Sequence, residues 1–173
     1  MYRVFVVKTE NGVTVMWPTS AVPEGMSIEE FALTVVPEGS DWRAIKPLEL
    51  PNSREFRNAW VDVTPEPQID IDLAKAKEIQ LERLRAARNA ELAATDGLLA
   101  RALEQNNAAE LEKLRVKRQA LRDVTEELKA VPAGGYNDEA VINEIKVKGD
   151  PAKVEEIKQA EVVGGQLVKG GAK

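Results

Sequence analysis

Residues 73–103, LAKAKEIQLERLRAARNAELAATDGLLARAL, decide the fold because they are rich in strong helix formers and contain no proline. Apolar side chains recur on one stripe at helical spacing, at Leu73, Ala76, Leu84, Ala87, Ala94, Leu98 and Ala102. The pattern predicts one long helix with Asp72 as its N-cap. Thr95-Asp96-Gly97 is a point at which this helix could be interrupted, because glycine costs about 1 kcal/mol in a helix interior.

A second helix is predicted over residues 108–131, between a start signal formed by Asn107 with Glu110 and a stop at Pro132. Only three residues separate it from the first helix, and such a short link favours antiparallel neighbours. We therefore expect an antiparallel helical hairpin over residues 72–131.

Leucines recur along the second helix at the seven-residue spacing of a coiled-coil seam. This leucine seam consists of Leu111, Leu114, Leu121 and Leu128. Arg118 and Thr125 are polar at positions where a coiled-coil core would be apolar. The seam packs either internally, against the first helix, or externally, against another subunit or a partner helix. We favour an oligomer or a bound partner.

The N-terminal residues 1–63 are predicted to form a small α+β unit that opens with a β-hairpin. Tyr2–Thr9 and Val13–Trp17 are rich in β-branched and aromatic residues. Asn11-Gly12 lies between them and predicts a type I′ turn, because both residues tolerate a positive φ.

Proline and glycine divide the rest of this unit into short elements. The predicted elements are a short helix with a Ser27–Glu30 capping box, strands at Val35-Val36 and Trp42–Ile45, and one or two helical turns over Ser53–Trp60. Phe56 and Trp60 lie on one side of these turns at i, i+4 spacing. They belong either to a small core or to an anchor for a partner, and the small core is favoured because the unit has few aromatic residues.

The remaining segments flank the hairpin. Thr64-Pro65-Glu66-Pro67 predicts an extended linker, which we assign to residues 64–71, because proline blocks helix on either side. Residues 132–173 are predicted as a flexible joint at Ala133–Tyr136 followed by short helices over Asp138–Lys148 and after Asp150-Pro151, with Val162–Val168 as a hairpin or a tail. The fold class is therefore α+β, with a β-rich N-terminal unit and a mixed C-terminal segment.

The composition excludes several kinds of active site. The 173 residues include no cysteine and no histidine, which removes thiol nucleophiles, disulfides and imidazole metal sites. Asp70 and Asp72 lack the further ligands of a calcium loop, and helix capping explains them better. We expect no enzymatic activity, no cofactor and no metal. No window approaches about 18 apolar residues, so no membrane association is expected.

Arg115, Arg118 and Arg122 form a candidate basic stripe on the second helix. Residues 70–131 carry 12 basic and 12 acidic side chains, and no aromatic residue interleaves the arginines for base stacking. A solvated or inter-helix ion-pair face is the favoured interpretation. A nucleic-acid-binding or regulatory module is the alternative, and it would show a steep salt dependence.

The hairpin sequence carries three motifs: LRAARNAEL at residues 84–92, Thr95-Asp96, and KRQALRDV at residues 117–124. Together they resemble a signature of small bacteriophage tail proteins, a group that includes tail assembly chaperones and tail-fibre-associated proteins. FRNAW at residues 56–60 and DLAKAKEI at residues 72–79 extend the resemblance to about residues 53–125.

Two residues depart from the pattern of these tail proteins. Gly97 stands where family members commonly have Trp after Thr-Asp, and Thr125 stands where a proline commonly follows Arg-Asp. The second helix is therefore expected to be longer than usual. The resemblance implies a non-enzymatic phage morphogenesis protein, either a virion part in the tail or tail-fibre region or an assembly chaperone absent from the mature particle. Its partners would be other phage structural proteins, with a homo-oligomer expected, in the virion or in the host cytoplasm during assembly.

Overall fold

The structure, a computed structural model, describes residues 2–63 and 67–168. The chain divides into unit 1, Met1–Ala76 with Gly134–Asp138, and unit 2, Lys77–Ala133 with Glu139–Lys173. N-terminal strands are followed by long helices and a C-terminal hairpin, which confirms the α+β class. Most of the predicted Thr64–Pro67 linker and the glycines at 170 and 171 lie outside the described residues.

Unit 1 contains a three-stranded antiparallel sheet with the strand order β2-β1-β3. The strands are β1 (Val4–Thr9), β2 (Gly12–Met16) and β3 (Trp42–Ile45). The aromatic and β-branched residues at 4–7 suit the central strand, where all four are buried. Phe5 packs against Phe31 and Trp42, with ring centroids 6.0 and 5.5 Å apart. The core of unit 1 therefore forms around β1.

The turn of the β1–β2 hairpin begins one residue earlier than predicted. Thr9 pairs with Gly12, so Glu10 and Asn11 form the loop, and Asn11 does not adopt a positive φ. The type I′ turn over Asn11-Gly12 is therefore wrong. Gly12 has a φ of +144°, and a Cβ atom there would lie 2.6 Å from the carbonyl oxygen of Trp60. Glycine is needed at this position for a close backbone approach.

Helix α1 (Ile28–Ala32) follows the β-hairpin and begins with the predicted capping box. The backbone N–H of Glu30 donates to Ser27 Oγ at 3.1 Å, and the N–H of Ser27 donates to the Glu30 carboxylate at 2.9 Å. The strand predicted at Val35-Val36 is wrong, because both amides donate to the carbonyl of Ala32 and continue the helix end as turns.

Strands β4 (Trp60–Val61) and β5 (Asp70–Ile71) pair in antiparallel fashion. Residues 70 and 71 therefore belong to a strand rather than to a linker. The turns predicted over Ser53–Trp60 reduce to one 3-10 turn at Arg57–Ala59, because Trp60 already enters β4.

Asn137 attaches the segment 134–138 to β5. Its Oδ1 accepts a hydrogen bond from the N–H of Ile71 at 2.7 Å, and its Nδ2 donates to Asp70 Oδ1 at 2.6 Å. Its own N–H donates to the carbonyl of Ile71 at 3.2 Å. Asparagine tolerates the positive φ of 57° found here better than most residues. Residues 134–138, which overlap the predicted joint at Ala133–Tyr136, are thus attached to unit 1 through Asn137.

The predicted helical hairpin contributes three helices, α2 (Leu73–Glu104), α3 (Ala108–Asp123) and α4 (Glu126–Lys129). Helix α2 starts in unit 1 and continues in unit 2, without interruption at Thr95-Asp96-Gly97. Helix α3 ends at Asp123 and α4 starts at Glu126, so the prediction of one continuous helix over residues 108–131 is wrong. Two consecutive β-branched residues, Val124 and Thr125, occupy the break, and such residues weaken helix propensity.

Side-chain contacts within unit 2 show that the hairpin is antiparallel. Lys77 Nζ, near the start of α2, donates at 2.7 Å to the carbonyls of Lys129, the last residue of α4, and Val131, just beyond it. At the other end, Asn107 Oδ1 accepts from the N–H of Glu110 at 3.1 Å, which confirms the predicted start of α3.

The C-terminal part of unit 2 contains helices α5 (Glu139–Lys148) and α6 (Ala152–Gln159), then strands β6 (Glu161–Val163) and β7 (Gln166–Val168). Asp150 Oδ1 accepts from the N–H of Ala152 at 2.9 Å at the start of α6. Gly164 and Gly165 have positive φ values of 57° and 76°, as a two-residue type I′ turn requires. The hairpin alternative for this segment is therefore correct.

Candidate interaction site

The leucine seam is largely buried within unit 2 of a single chain. Leu114, Leu121 and Leu128 are at most 4% exposed, and Leu111 is half-buried. Thr125 is also buried, and its Oγ1 has no hydrogen-bond partner among the described residues. The three buried leucines pack internally, so they offer no open surface to a partner helix.

Arg118, the polar residue inside the seam, ties α3 to α2. Its Nη1 donates to the carbonyl of Leu92 at 3.0 Å, to Thr95 Oγ1 at 2.6 Å and to Asp96 Oδ1 at 2.7 Å. Its side chain is only 16% exposed. Hydrogen bonds from a guanidinium to a carboxylate are stronger than neutral ones. The arginine that interrupts the coiled-coil pattern is therefore an inter-helix contact.

The basic stripe does not form one cationic surface. Arg118 is engaged with α2, whereas Arg122 is exposed and Arg115 is 83% exposed with its guanidinium 4.0 Å from the Glu112 carboxylate. Two arginines face solvent, and one of these is close to a carboxylate. This arrangement corresponds to the favoured interpretation of a solvated or inter-helix ion-pair face, with Arg118 in the inter-helix contact and the other two arginines solvated.

Phe56 and Trp60 lie in the interior of unit 1. They are 1% and 3% exposed, respectively. Trp60 Nε1 is buried without a hydrogen-bond partner among the described residues. Neither ring is available to a partner at the surface, so both belong to the small core.

A groove of about 480 Å³ lies in unit 2 where α3, α4, α6 and β7 meet. Its apolar lining consists of Ala120, Val124, Ile157, Ala160 and Leu167. Sequence reasoning missed this groove. The lining residues come from helices and a strand up to about 47 positions apart, so no local periodicity brings them together.

Three carboxylates and one ammonium group complete the groove lining: Asp123, Glu127, Glu156 and Lys153. Lys153 Nζ donates to the Glu127 carboxylate at 2.6 Å. This hydrogen bond and the charge of Lys153 lower the pKa of the Glu127 carboxyl below its ordinary value. Asp123 accepts two hydrogen bonds of 3.0 Å from the amide of Gln119, which is a neutral donor. The lining therefore carries a net negative charge.

Replacing Lys153 with methionine is expected to raise the pKa of Glu127 towards its ordinary value. Because Lys153 lowers the folded-state pKa, the ion pair stabilises the fold above the unfolded-state pKa, and this contribution is lost as the pH falls through the folded-state value. An NMR titration of the glutamate carboxyl carbons measures the change.

Glu30 provides the internal control for this titration. The N–H and hydroxyl of Ser27 lower the pKa of Glu30 in unit 1, so its titration is expected to stay the same in the Lys153→Met variant. An unchanged Glu127 curve would show that the ion pair does not form in solution.

The last turns of α2 expose two apolar side chains, Leu98 and Leu103, which are 50% and 57% exposed. We call them the exposed leucine pair. The predicted apolar stripe is wrong at Ala94 and Leu98, which are both exposed. The buried side of α2 here includes Thr95, which receives the Arg118 hydrogen bond. The two leucines are five positions apart, which places them about 140° apart around the helix axis, so they face solvent on two sides of α2.

Comparison with protein-family models, curated proteins and solved structures finds no match for this chain. Within residues 2–63 and 67–168, no three acidic side chains are grouped so that they could hold a metal ion. Over the same residues, no helix is both long and apolar enough to cross a bilayer.

Proposed function

We propose that this chain is a non-enzymatic bacteriophage morphogenesis protein that acts through protein–protein contacts in the tail or tail-fibre region. The observation that carries the proposal is the contact of Arg118 with Thr95 and Asp96. These residues belong to the motifs by which the hairpin resembles small phage tail proteins. The motifs thus have a physical role, because their polar side chains join the two helices. This role supports the proposal that the chain has the same helix-pair architecture as the tail proteins it resembles.

The exposed leucine pair offers apolar side chains on two sides of the end of α2 for such contacts. Full burial of a leucine side chain contributes about 1.5–3 kcal/mol, so covering both leucines would favour association appreciably. Two versions of the proposal differ in the partner that covers them. A resident virion part would contact further copies of itself in a symmetric assembly, whereas a chaperone would contact one tail protein transiently.

Solution mass and particle composition test the proposal together. For a resident part, light scattering over a range of concentrations should give a stable oligomer, and purified particles should contain the protein in fixed copy number. For a chaperone, the mass should remain near 19.0 kDa, and the protein should bind a tail protein and be absent from particles. A protein that is absent from particles and binds none of their components would contradict both versions.

Charge substitutions identify the contact surface. Leu98→Glu combined with Leu103→Glu should convert an oligomer to the monomer, or abolish binding of the tail protein, because each glutamate would have to be desolvated. Val147→Glu is the matched control, since Val147 is 68% exposed on α5 of the same unit. An unchanged assembly in the double variant would place the contact elsewhere.

A further inference from the structure

The accessible apolar area of the groove in unit 2 comes from Ile157 and Leu167, which are half-buried. Val124 and Ala160, which are 9% and 7% exposed, belong to its walls. Its volume of about 480 Å³ is within the range of clefts that bind ligands, and it could hold a few side chains of a peptide. The β6–β7 hairpin contributes only Leu167, so one wall of the groove is a short strand and the others are helices.

Charge determines which kind of segment fits this groove. The Lys153 ammonium group is already paired with the Glu127 carboxylate, so it attracts an acidic ligand only weakly. Asp123 is exposed, and the partner that it has in the described chain is the neutral Gln119 amide. A positive charge placed beside Asp123 would be attracted, whereas a carboxylate there would be repelled.

We infer that this groove binds a short segment of a partner protein in which apolar side chains stand next to a lysine or arginine. The apolar side chains would cover Ile157 and Leu167, and the cation would pair with Asp123. The inference deepens the proposed function and rests on it, since the partner would be another morphogenesis protein. A second copy of this chain is the competing occupant.

The experiment selects ligands without assuming their identity. A yeast-displayed library of random 12-residue peptides is sorted on the full-length protein, with Ile157→Asp as the counter-selected variant. Enriched peptides are expected to contain apolar residues with an adjacent lysine or arginine. The most enriched peptide is then synthesised with a fluorescent label, and its affinity is measured by anisotropy.

Asp123→Lys then tests the charge pairing. Asp123 is the last residue of α3, where a cation interacts favourably with the helix dipole, so the variant is expected to fold. It should bind the selected peptide about fivefold to tenfold more weakly, and a peptide with Glu in place of the basic residue should regain affinity for the variant. Glu104→Lys, an exposed position at the end of α2, is the control with the same charge change and should bind like the wild type.

Four results would overturn the inference. In the selection, these are the failure to enrich any peptide and the enrichment of acidic peptides. In the affinity measurement, it is equal binding of the selected peptide by the wild type and Asp123→Lys. In the mass measurement, it is an oligomeric wild type whose Ile157→Asp variant is a monomer. The last result would assign the groove to a second copy. All of these measurements use purified protein, so they are independent of whether the chain is found in phage particles.

Discussion

Replacing Gly149 with alanine is expected to destabilise unit 2 by about 2–3 kcal/mol, because the added methyl group has no space. Gly149 is buried after α5, and a Cβ there would lie 2.8 Å from both the carbonyl oxygen of Ile145 and Leu128 Cδ2, and would also collide with Gln80 Cγ. The Ile145 oxygen is backbone and cannot move away by a change of rotamer. The carbonyl of Gly149 also accepts a hydrogen bond of 3.0 Å from Gln80 Nε2, which a displaced backbone would weaken. Urea unfolding followed by circular dichroism at 222 nm measures the loss.

Gly97→Ala is the matched control, because the same substitution should have the opposite sign. Gly97 lies within α2, and a Cβ there would meet no atom within 4 Å. Alanine is about 1 kcal/mol more favourable than glycine in a helix interior, so this variant should be more stable than the wild type. Equal effects of the two substitutions would show that the packing around Gly149 is looser than the structure indicates.

Leu121→Glu is expected to cost at least about 3 kcal/mol, because an unpaired carboxylate would have to be buried in the centre of unit 2. Leu121 is 1% exposed. A domain is typically stable by only about 5–15 kcal/mol, so a substantial unfolded fraction should appear at low denaturant concentration. Leu121→Ala, which removes volume without adding charge, should cost about 2–5 kcal/mol. The midpoint of chemical unfolding is the measurement for both variants.

Val147→Glu serves again as the control for the introduced charge. Because Val147 is largely in solvent on α5, its substitution should change the free energy of unfolding by no more than about 0.5 kcal/mol. If Leu121→Glu unfolds at the same midpoint as Val147→Glu, Leu121 lies at the surface in solution and the seam is not internal.

Elements governed by close neighbours in the chain were predictable. The Ser27–Glu30 capping box, the Asn107 cap and the uninterrupted helix-forming residues of α2 each depend on side chains within a few positions. The helix starts were therefore visible as short patterns. The position of the first hairpin turn was not visible in this way. Glycine is required at position 12 because the Trp60 carbonyl, 48 residues later in the chain, approaches it closely.

The candidate site was much less predictable than the elements that form it. The leucine seam was visible as a repeat, but the repeat does not distinguish a surface from an interior. Arg118 stands in the sequence like the other arginines of the basic stripe, and only its contacts with α2 separate it from them. The groove gave no sequence signal, because Val124, Ile157 and Leu167 belong to different elements.

By itself, the sequence determined the α+β class, the long helix, its antiparallel partner and the absence of cysteine and histidine chemistry. Caps, prolines and side-chain periodicity act over a few residues, so they can be read directly from the chain. Only the tertiary structure decided that the leucine seam is internal, that Asn137 hydrogen-bonds to β5 and that Arg118 joins two helices. These features depend on burial and on pairing between distant residues, which the local pattern does not contain.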